Sequence, residues 1–470
     1  MPPMRALTKN AATAAALSLL SAKAVRTRAQ RMLALGLDDR LPHFRVHLDR
    51  LDMAVDLVLG ITRAAYPSLD VPFHSRWRHF VVDGEDRWAS LDAATKWPDR
   101  AARARAAFDL AIVSVLLDAG AGPDWAYADP RTGRRVGRSE GLALASFDMF
   151  AQGAFSARRG DPFRADAEAV ARLPTDALRH GFQVTDGNPL VGLDGRADLL
   201  RRLGAVAAAS PKIFGRADAP RPGGLFDHLA REAHGGRVAA PAMLSAVLHH
   251  LGPIWPSRLT LAGIALGDCW HHPALTMTDA TLPSPSPACG GGVGWGPQPC
   301  RTLPTGPHPV PPALAGKRTD MAQHGEETVD PTCGLVPLHK LSQWLTYSLI
   351  EPMQAACISV VDIDGLTGLA EYRNGGLFID MGVLVLRHGE EAARAHDVSS
   401  TLVVEWRALT IALVDRLAER LRERAGMDAI SLPLAKILEG GTWAAGREAA
   451  RARRAGGSPP LRVISDGTIF

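Results

Sequence analysis

The sequence predicts a mainly α fold, a multi-helix globular protein with a few short β elements. Three observations carry this. Long segments repeat apolar residues at helical spacing, strand-like pieces are short and sit at turn dipeptides, and the composition (46% apolar, 22% charged) is that of an ordinary globular chain.

Taken in order, "VHLDRLDMAVDLVLGITRAAY" sets Leu48, Leu51, Val55, Leu57, Val58 and Ile61 on one broad apolar face. "RAARARAAFDLAIVSVLLDAG" repeats the pattern and ends at Gly120, a suitable residue just past a helix C-terminus. "RADLLRRLGAVAAAS" and "AMLSAVLHHLGPIW" read as further helices, the second stopped by Gly252 and Pro253. "GLVPLHKLSQWLTYSLIEPM" is another. The strongest helix is "STLVVEWRALTIALVDRLAERLRERAG", with Ser399 or Ser400 as N-cap and Gly426 at its end. Strands are expected in "HFVVDGEDRW" around a D-G turn, in "FQVTDGNPLVG", and in "GGLFIDMGVLVL".

Several function classes are disfavoured by the bulk numbers. A net charge of +4 over 470 residues, with basic residues dispersed among acids, gives no support to nucleic-acid binding. No apolar run is long enough to span a bilayer. Five cysteines (Cys269, Cys289, Cys300, Cys333 and Cys357), with no CxxC pair, argue for a reducing compartment rather than a disulfide framework. A cytoplasmic location is therefore expected. The N-terminus leaves an organellar transit peptide as the alternative, because residues 1–37 carry Arg5, Lys9, Lys23, Arg26, Arg28 and Arg31 but no acid. Against that, Leu17, Leu20, Ala24, Ala29, Met32 and Leu33 recur at helical spacing.

Residues 282–331 are foreign in composition: dense in Pro and Gly, they cannot bury enough apolar surface for regular structure. "CGGGVGWG" within them lacks the GK[ST] ending of a phosphate loop and reads as a linker. Cys289, Cys300, Cys333 and His308 match no zinc spacing, and the adjacent pairs His249–His250 and His271–His272 diverge on a helix. No metal and no cofactor are expected.

Three segments concentrate chemistry. "HSRWRHF" packs His74, Arg76, Trp77 and Arg78 together; as a strand, Arg76 and Arg78 would share a face with Trp77 opposite. His339, Lys340, Gln343, Trp344 and Tyr347 lie three and four apart and can share one side of a helix. "DGLTGLAEYRNGGLFIDMGVL" and "LVVEWRALT" embed Glu371, Tyr372, Arg373, Asn374, Asp380, Glu405 and Arg407 in apolar sequence. Charges in such settings are paired for structure or line a cleft, and both readings stay open here. Gly365, Gly368, Gly375 and Gly376 would let backbone approach a ligand closely.

Together "PFHSRWRHF", "LGDCW", "LVPLHKLSQWLTYSLIEP", "LTGLAEYRNGGLFIDMGVL", "VEWRALTIALVDRLAERLRE", "LEGGTWAAGREAA" and "ISDGTIF" resemble the uracil catabolism protein 4 family, from about Leu17 to Phe470. On that resemblance residues 1–16 are an N-terminal extension, 17–281 and 332–470 are two parts of one family domain, and 282–331 are an insertion. A retained intron or a lineage-specific loop would each account for it. The "EWR" motif is also similar, in a few residues, to queuosine salvage proteins, which hydrolyse an N-glycosidic bond. The family resemblance implies a pyrimidine degradation route through uridine monophosphate that releases urea. It therefore implies a small nucleotide-derived substrate and a possible N-ribosyl hydrolase, the alternatives being a non-catalytic binding protein and a ureido or amide hydrolase. In the hydrolase reading Asp380 activates water and Glu405 is the second carboxylate. Arg76, Arg78, Lys340 or Arg373 hold phosphate, and His74, Trp77, His339, Gln343, Tyr372, Asn374 and Arg407 shape the pocket.

Overall fold

The longest apolar-periodic stretch forms the longest helix, Thr401–Ala425, in a computed structural model that describes residues 9–215, 219–256, 258–276 and 330–464. Ser400 caps it by accepting the Val403 amide at 3.3 Å, a contribution of about 1 kcal/mol. Gly426 ends it in the left-handed region (φ 67°), where a side chain would be strained. Every residue from Leu402 to Val414 is buried, so this helix is covered all round. Ala22–Leu37 and Leu51–Ala65 pack on it, as does the short helix Tyr372–Asp380. Elsewhere Lys340–Ala355 packs on Arg100–Leu116, and Trp443–Arg453 lies against Tyr372–Asp380. Buried apolar residues from Leu20 to Leu461 form one continuous core, and Ala16, Leu19, Leu266 and Cys269 form a small satellite. No helix among the described residues is long and apolar enough to cross a membrane.

Among the described residues the strands are short and occur only in two-stranded pairs. The D-G hairpin forms as expected, Val81–Val82 against Glu85–Asp86, with Asp83 (φ 52°) and Gly84 (φ 82°) at its turn. "FQVTDGNPLVG" yields only a single bridge between Thr185 and Asn188. The expected strand "GGLFIDMGVLVL" divides. Tyr372–Asp380 is helical and Leu384–Leu386 alone is strand, antiparallel to Phe44–Val46. The glycines misled because they serve packing: a Cβ on Gly375 would lie 2.7 Å from the Trp406 indole and the Thr410 hydroxyl. Glu371 settles the helix by accepting the Arg373 amide at 2.7 Å, and the Asn374 amide as well. The segment 277–329, which contains nearly all of the expected insertion, lies outside the described residues.

One buried ion pair ties distant segments together. Arg407 grips Asp268 with two bonds, Nη1–Oδ1 2.9 Å and Nη2–Oδ2 2.7 Å. Asp268 also accepts from Trp270 Nε1 (2.7 Å) and the Lys340 amide (3.0 Å), while its own carbonyl takes the Leu338 and His339 amides. Burial would raise the Asp268 carboxyl, but Arg407 outweighs it and holds the group down at about 2. Because the folded value lies below the unfolded one, this contribution is present above pH 4 and is lost as pH falls through about 2. We expect the acid limb of the stability–pH curve to lose about 2 kcal/mol through Asp268, and Asp268→Asn to lack that part of the limb in urea unfolding. Arg407→Met, which strands a buried carboxylate, should cost about 3–5 kcal/mol in the same measurement.

Candidate functional site

His74–Phe80 is a turn of 3₁₀ helix (Arg76–Phe80) rather than a strand, so its period is three and not two. The expected pairing of Arg76 with Arg78 therefore fails. Arg76 instead falls beside His79 (Nη1–Nδ1 3.2 Å), and Trp77 falls beside Phe80, ring centroids 5.6 Å apart. Arg76 is fully buried, bonded to Ser114 Oγ (2.7 Å) and the Ser139 carbonyl (3.2 Å) and paired with Asp118 at 3.1 Å. Trp77 is core, donating to the Ser348 carbonyl at 2.7 Å. Arg78 points outward to Glu351, 2.6 Å away. His74 turns to Glu439, with Nδ1–Oε2 at 2.7 Å.

The Lys340–Ala355 helix separates its polar residues onto two sides. His339 stands outside it at φ 47°, buried, with Nε2 3.0 Å from the Leu19 carbonyl. Gln343 and Tyr347 both face the loop at Thr367: Gln343 Oε1 accepts the Thr367 amide at 2.9 Å and Tyr347 donates to its carbonyl at 3.0 Å. Trp344 faces the His74–His79 turn, and Lys340, one turn before it, neighbours Asp118 and Glu371. The Trp344 ring lies 4.5 Å from the His74 ring and 5.7 Å from that of His79.

Six titratable groups close a circuit of electrostatic neighbours around Trp344. Lys340 faces Asp118 and Glu371, Glu371 faces His74, and His74 bonds Glu439. Glu439 in turn faces His79, which faces Asp118. All six are partly rather than fully buried. Among the described residues the Lys340 ammonium has no ion-pair partner within 4 Å, and burial lowers its pKa. Burial also lowers His79, helped by Arg76, and so favours the neutral imidazole. Burial raises Glu371 despite its two backbone amides. It would raise Glu439 too, but the His74 hydrogen bond and neighbouring cations carry that carboxyl below its ordinary value. Two carboxyls in one circuit are thus pushed in opposite directions.

The other candidates lie elsewhere in the fold. Asp380 has both oxygens on Arg454, at 2.7 and 2.6 Å. Glu405, fully buried, accepts the amides of His43 (3.2 Å) and Phe44 (2.8 Å) and so anchors the Phe44–Val46 strand; its second oxygen lies 3.4 Å from His272 Nε2. Asn374 donates to the Leu369 carbonyl at 3.2 Å, and Arg407 is committed to Asp268. Arg373 donates to the Gly457 carbonyl at 3.0 Å and lies over the Tyr372 ring at 4.9 Å, directly after Glu371. Among the described residues no three His, Cys, Asp or Glu side chains converge on a point where a metal could sit. Cys289, Cys300 and His308 lie outside the described residues.

Asp118, His79 and Glu439 are functional candidates that sequence reasoning missed. For Asp118 a signal existed: an acid at the C-terminal end of an apolar helix opposes the helix dipole and calls for a cation. Arg76 supplies it. Glu439 sits within "LEGGTWAAGREAA", where a short π-helical turn (Leu438–Thr442) carries it.

Residues 18–470 match the family described as Protein of unknown function (DUF1688). The chain belongs to that family. It is 35% identical to Protein urg3 of Schizosaccharomyces pombe over 464 residues, covering 96% of this chain and 98% of that protein. It is 32% identical to Uracil catabolism protein 4 of Lachancea kluyveri over 461 residues, covering 91% and 92%. Within this DUF1688 chain Glu405 serves the fold, since one of its oxygens takes both strand amides. Glu405→Ala should therefore cost about 2–3 kcal/mol by leaving two strand amides without an acceptor. Glu405→Gln, which keeps an oxygen there, should cost well under half of that in chemical denaturation; equal losses would assign the effect to charge instead.

Proposed function

We propose that this chain acts in uracil catabolism, the process named for its Lachancea kluyveri relative, as a hydrolase. Its substrate would be a ring-opened uridine monophosphate derivative of the ribosylurea 5'-phosphate type, and its products urea and ribose 5-phosphate. The observation that carries this reading is the pair Glu371 and Glu439, one carboxyl raised and one lowered, both electrostatic neighbours of His74, whose ring lies 4.5 Å from that of Trp344. Cleavage of an N-ribosyl bond needs one acid to protonate the leaving nitrogen and one base to take a proton from water, across a transition state with positive character at the sugar. Glu371 would give its proton to the urea nitrogen as the bond to the ribose carbon breaks. Glu439, oriented by His74, would take a proton from the water that adds to that carbon. Lys340 and neutral His79 would hold the urea oxygen, with Trp344 as the wall against which the planar group lies. The Arg454 guanidinium on Asp380 and the two strand amides on Glu405 support a structural part for both. Cys269, whose thiol burial pushes up to about 12, offers no nucleophile for the alternative amide chemistry.

Incubation of the purified chain with the ribosylurea phosphate should release equal amounts of urea and ribose 5-phosphate. Glu439→Gln and Glu371→Gln should each lower kcat by about 10²–10⁴, while Asp380→Asn should retain turnover. The pH–rate profile should fall on the acid side as Glu439 protonates and on the alkaline side as Glu371 ionises; Glu439→Gln should remove the first limb and Glu371→Gln the second. No urea from a verified substrate would end the hydrolase reading.

A further inference from the structure

We propose that Arg138, Arg373 and Arg447 form a binding subsite for a phosphate monoester dianion, beside Tyr372 and next to the six-group circuit. Its assignment to the substrate's phosphate rests on the hydrolase reading above; the anion site itself stands on the arginines. Most arginines drawn into this fold have a carboxylate of their own. Arg407 takes Asp268, Arg454 takes Asp380, Arg103 takes Asp92 and Arg105 takes Asp227. Arg373 departs from that rule. It is 4% exposed, it meets a carbonyl and an aromatic ring rather than an acid, and its Nε has no partner. A guanidinium buried on those terms is costly unless an anion completes it.

Its neighbours share the deficit. Arg447 lies over the Trp443 ring at 4.7 Å, within electrostatic reach of Arg138, Arg373 and Arg451. Among the described residues one carboxylate answers these cations, Glu140, at 3.8 Å from Arg447 and partly exposed. Arg138 is a left-handed non-glycine residue (φ 56°) opening the Arg138–Ala151 helix, a strained conformation of the kind that persists where a side chain must be aimed. The next residue, Ser139, accepts Arg76 through its carbonyl, and Glu140 lies within reach of His79. The cations therefore adjoin the circuit directly. Three guanidiniums suit a dianion with several acceptor oxygens, whereas the carboxylates Asp118 and Glu439 would repel it from the circuit.

The test is calorimetric titration of the full chain with ribose 5-phosphate, ribose and inorganic phosphate, alongside thermal unfolding. Wild type should bind ribose 5-phosphate and phosphate but not ribose. Arg447→Met and Arg138→Gly should each weaken ribose 5-phosphate binding at least about tenfold, the worth of one charge-assisted hydrogen bond. Arg138→Gly should leave the unfolding midpoint unchanged or raise it, because glycine accepts the left-handed backbone; loss of binding then cannot be loss of fold. Unchanged affinity in both variants, or no phosphate binding by wild type, would overturn the subsite. Turnover separates the two readings. Phosphate binding that needs the arginines, with no urea release, keeps the anion site and removes the hydrolase. Urea release by Arg447→Met at unaltered KM keeps the hydrolase and removes the anion site.

Discussion

The Asp268–Arg407 pair is the interaction on which the rest of the structure depends. The helix Lys340–Ala355 begins after a residue in the left-handed region and has no side-chain cap from its own sequence. Asp268 supplies the missing acceptors: its carboxylate takes the Lys340 amide and its carbonyl takes the Leu338 and His339 amides. That arrangement holds only while the carboxylate stays ionised, which Arg407 enforces from the centre of the most buried helix. The core thus sets the starting register of Lys340–Ala355. Once that start is fixed, Lys340 and Trp344 share one side of the helix, because they lie one helical turn apart. A structural charge pair in the interior therefore orients two residues of the circuit.

A second buried pair does the same for the opposite wall. Arg76 and Asp118 join the 3₁₀ turn to the end of the Arg100–Leu116 helix, and Ser114 and Ser139 complete the guanidinium's bonds. His79 shares Arg76's side of the turn by the three-residue period, so the pair aims its ring at Trp344. The circuit is assembled from segments near residues 74–79, 118, 340–344, 371 and 439, and most of its groups are held by a bond of their own: Asp118 by Arg76, Glu371 by two backbone amides and Glu439 by His74. Among the described residues the Lys340 ammonium, by contrast, has no ion-pair partner within 4 Å.

Much of the fold was legible because helical periodicity depends only on burial of one face. The Thr401–Ala425 helix, its Ser400 cap and its Gly426 terminus follow from local sequence, as does the D-G hairpin. Tyr372–Asp380 did not, because glycine carries two meanings. Gly375 permits a turn in principle, but here it permits contact with Trp406, a residue more than thirty positions away in sequence. The circuit was legible in its parts and not in its membership. Lys340, His74 and Tyr372 were visible as chemistry embedded in apolar surroundings, and so were Asp380 and Glu405. What separates the two groups is the donor that each acid meets, Arg454 for Asp380 and the strand amides for Glu405. Those donors come from distant segments, so no local pattern around the acids records them.

The distribution of compensation also bears on the shape of the ligand. A protein can bury a charge by pairing it internally or by leaving the partner to a ligand, and this fold does both within one neighbourhood. In the circuit, cations and carboxylates alternate closely enough that the net field is small and the individual pKa values are spread apart, which favours proton transfer. Across Tyr372 the balance shifts to positive, with Arg373 buried and Arg138 and Arg447 beside it. A fully anionic ligand would suffer in the circuit, and a neutral one would leave the arginines unanswered. The ligand that satisfies both ends carries its negative charge at one end and a neutral, protonatable group at the other, separated by a spacer. A phosphorylated sugar bearing a urea has that form, and the requirement arises from the unequal charge compensation of adjacent side chains rather than from any single residue.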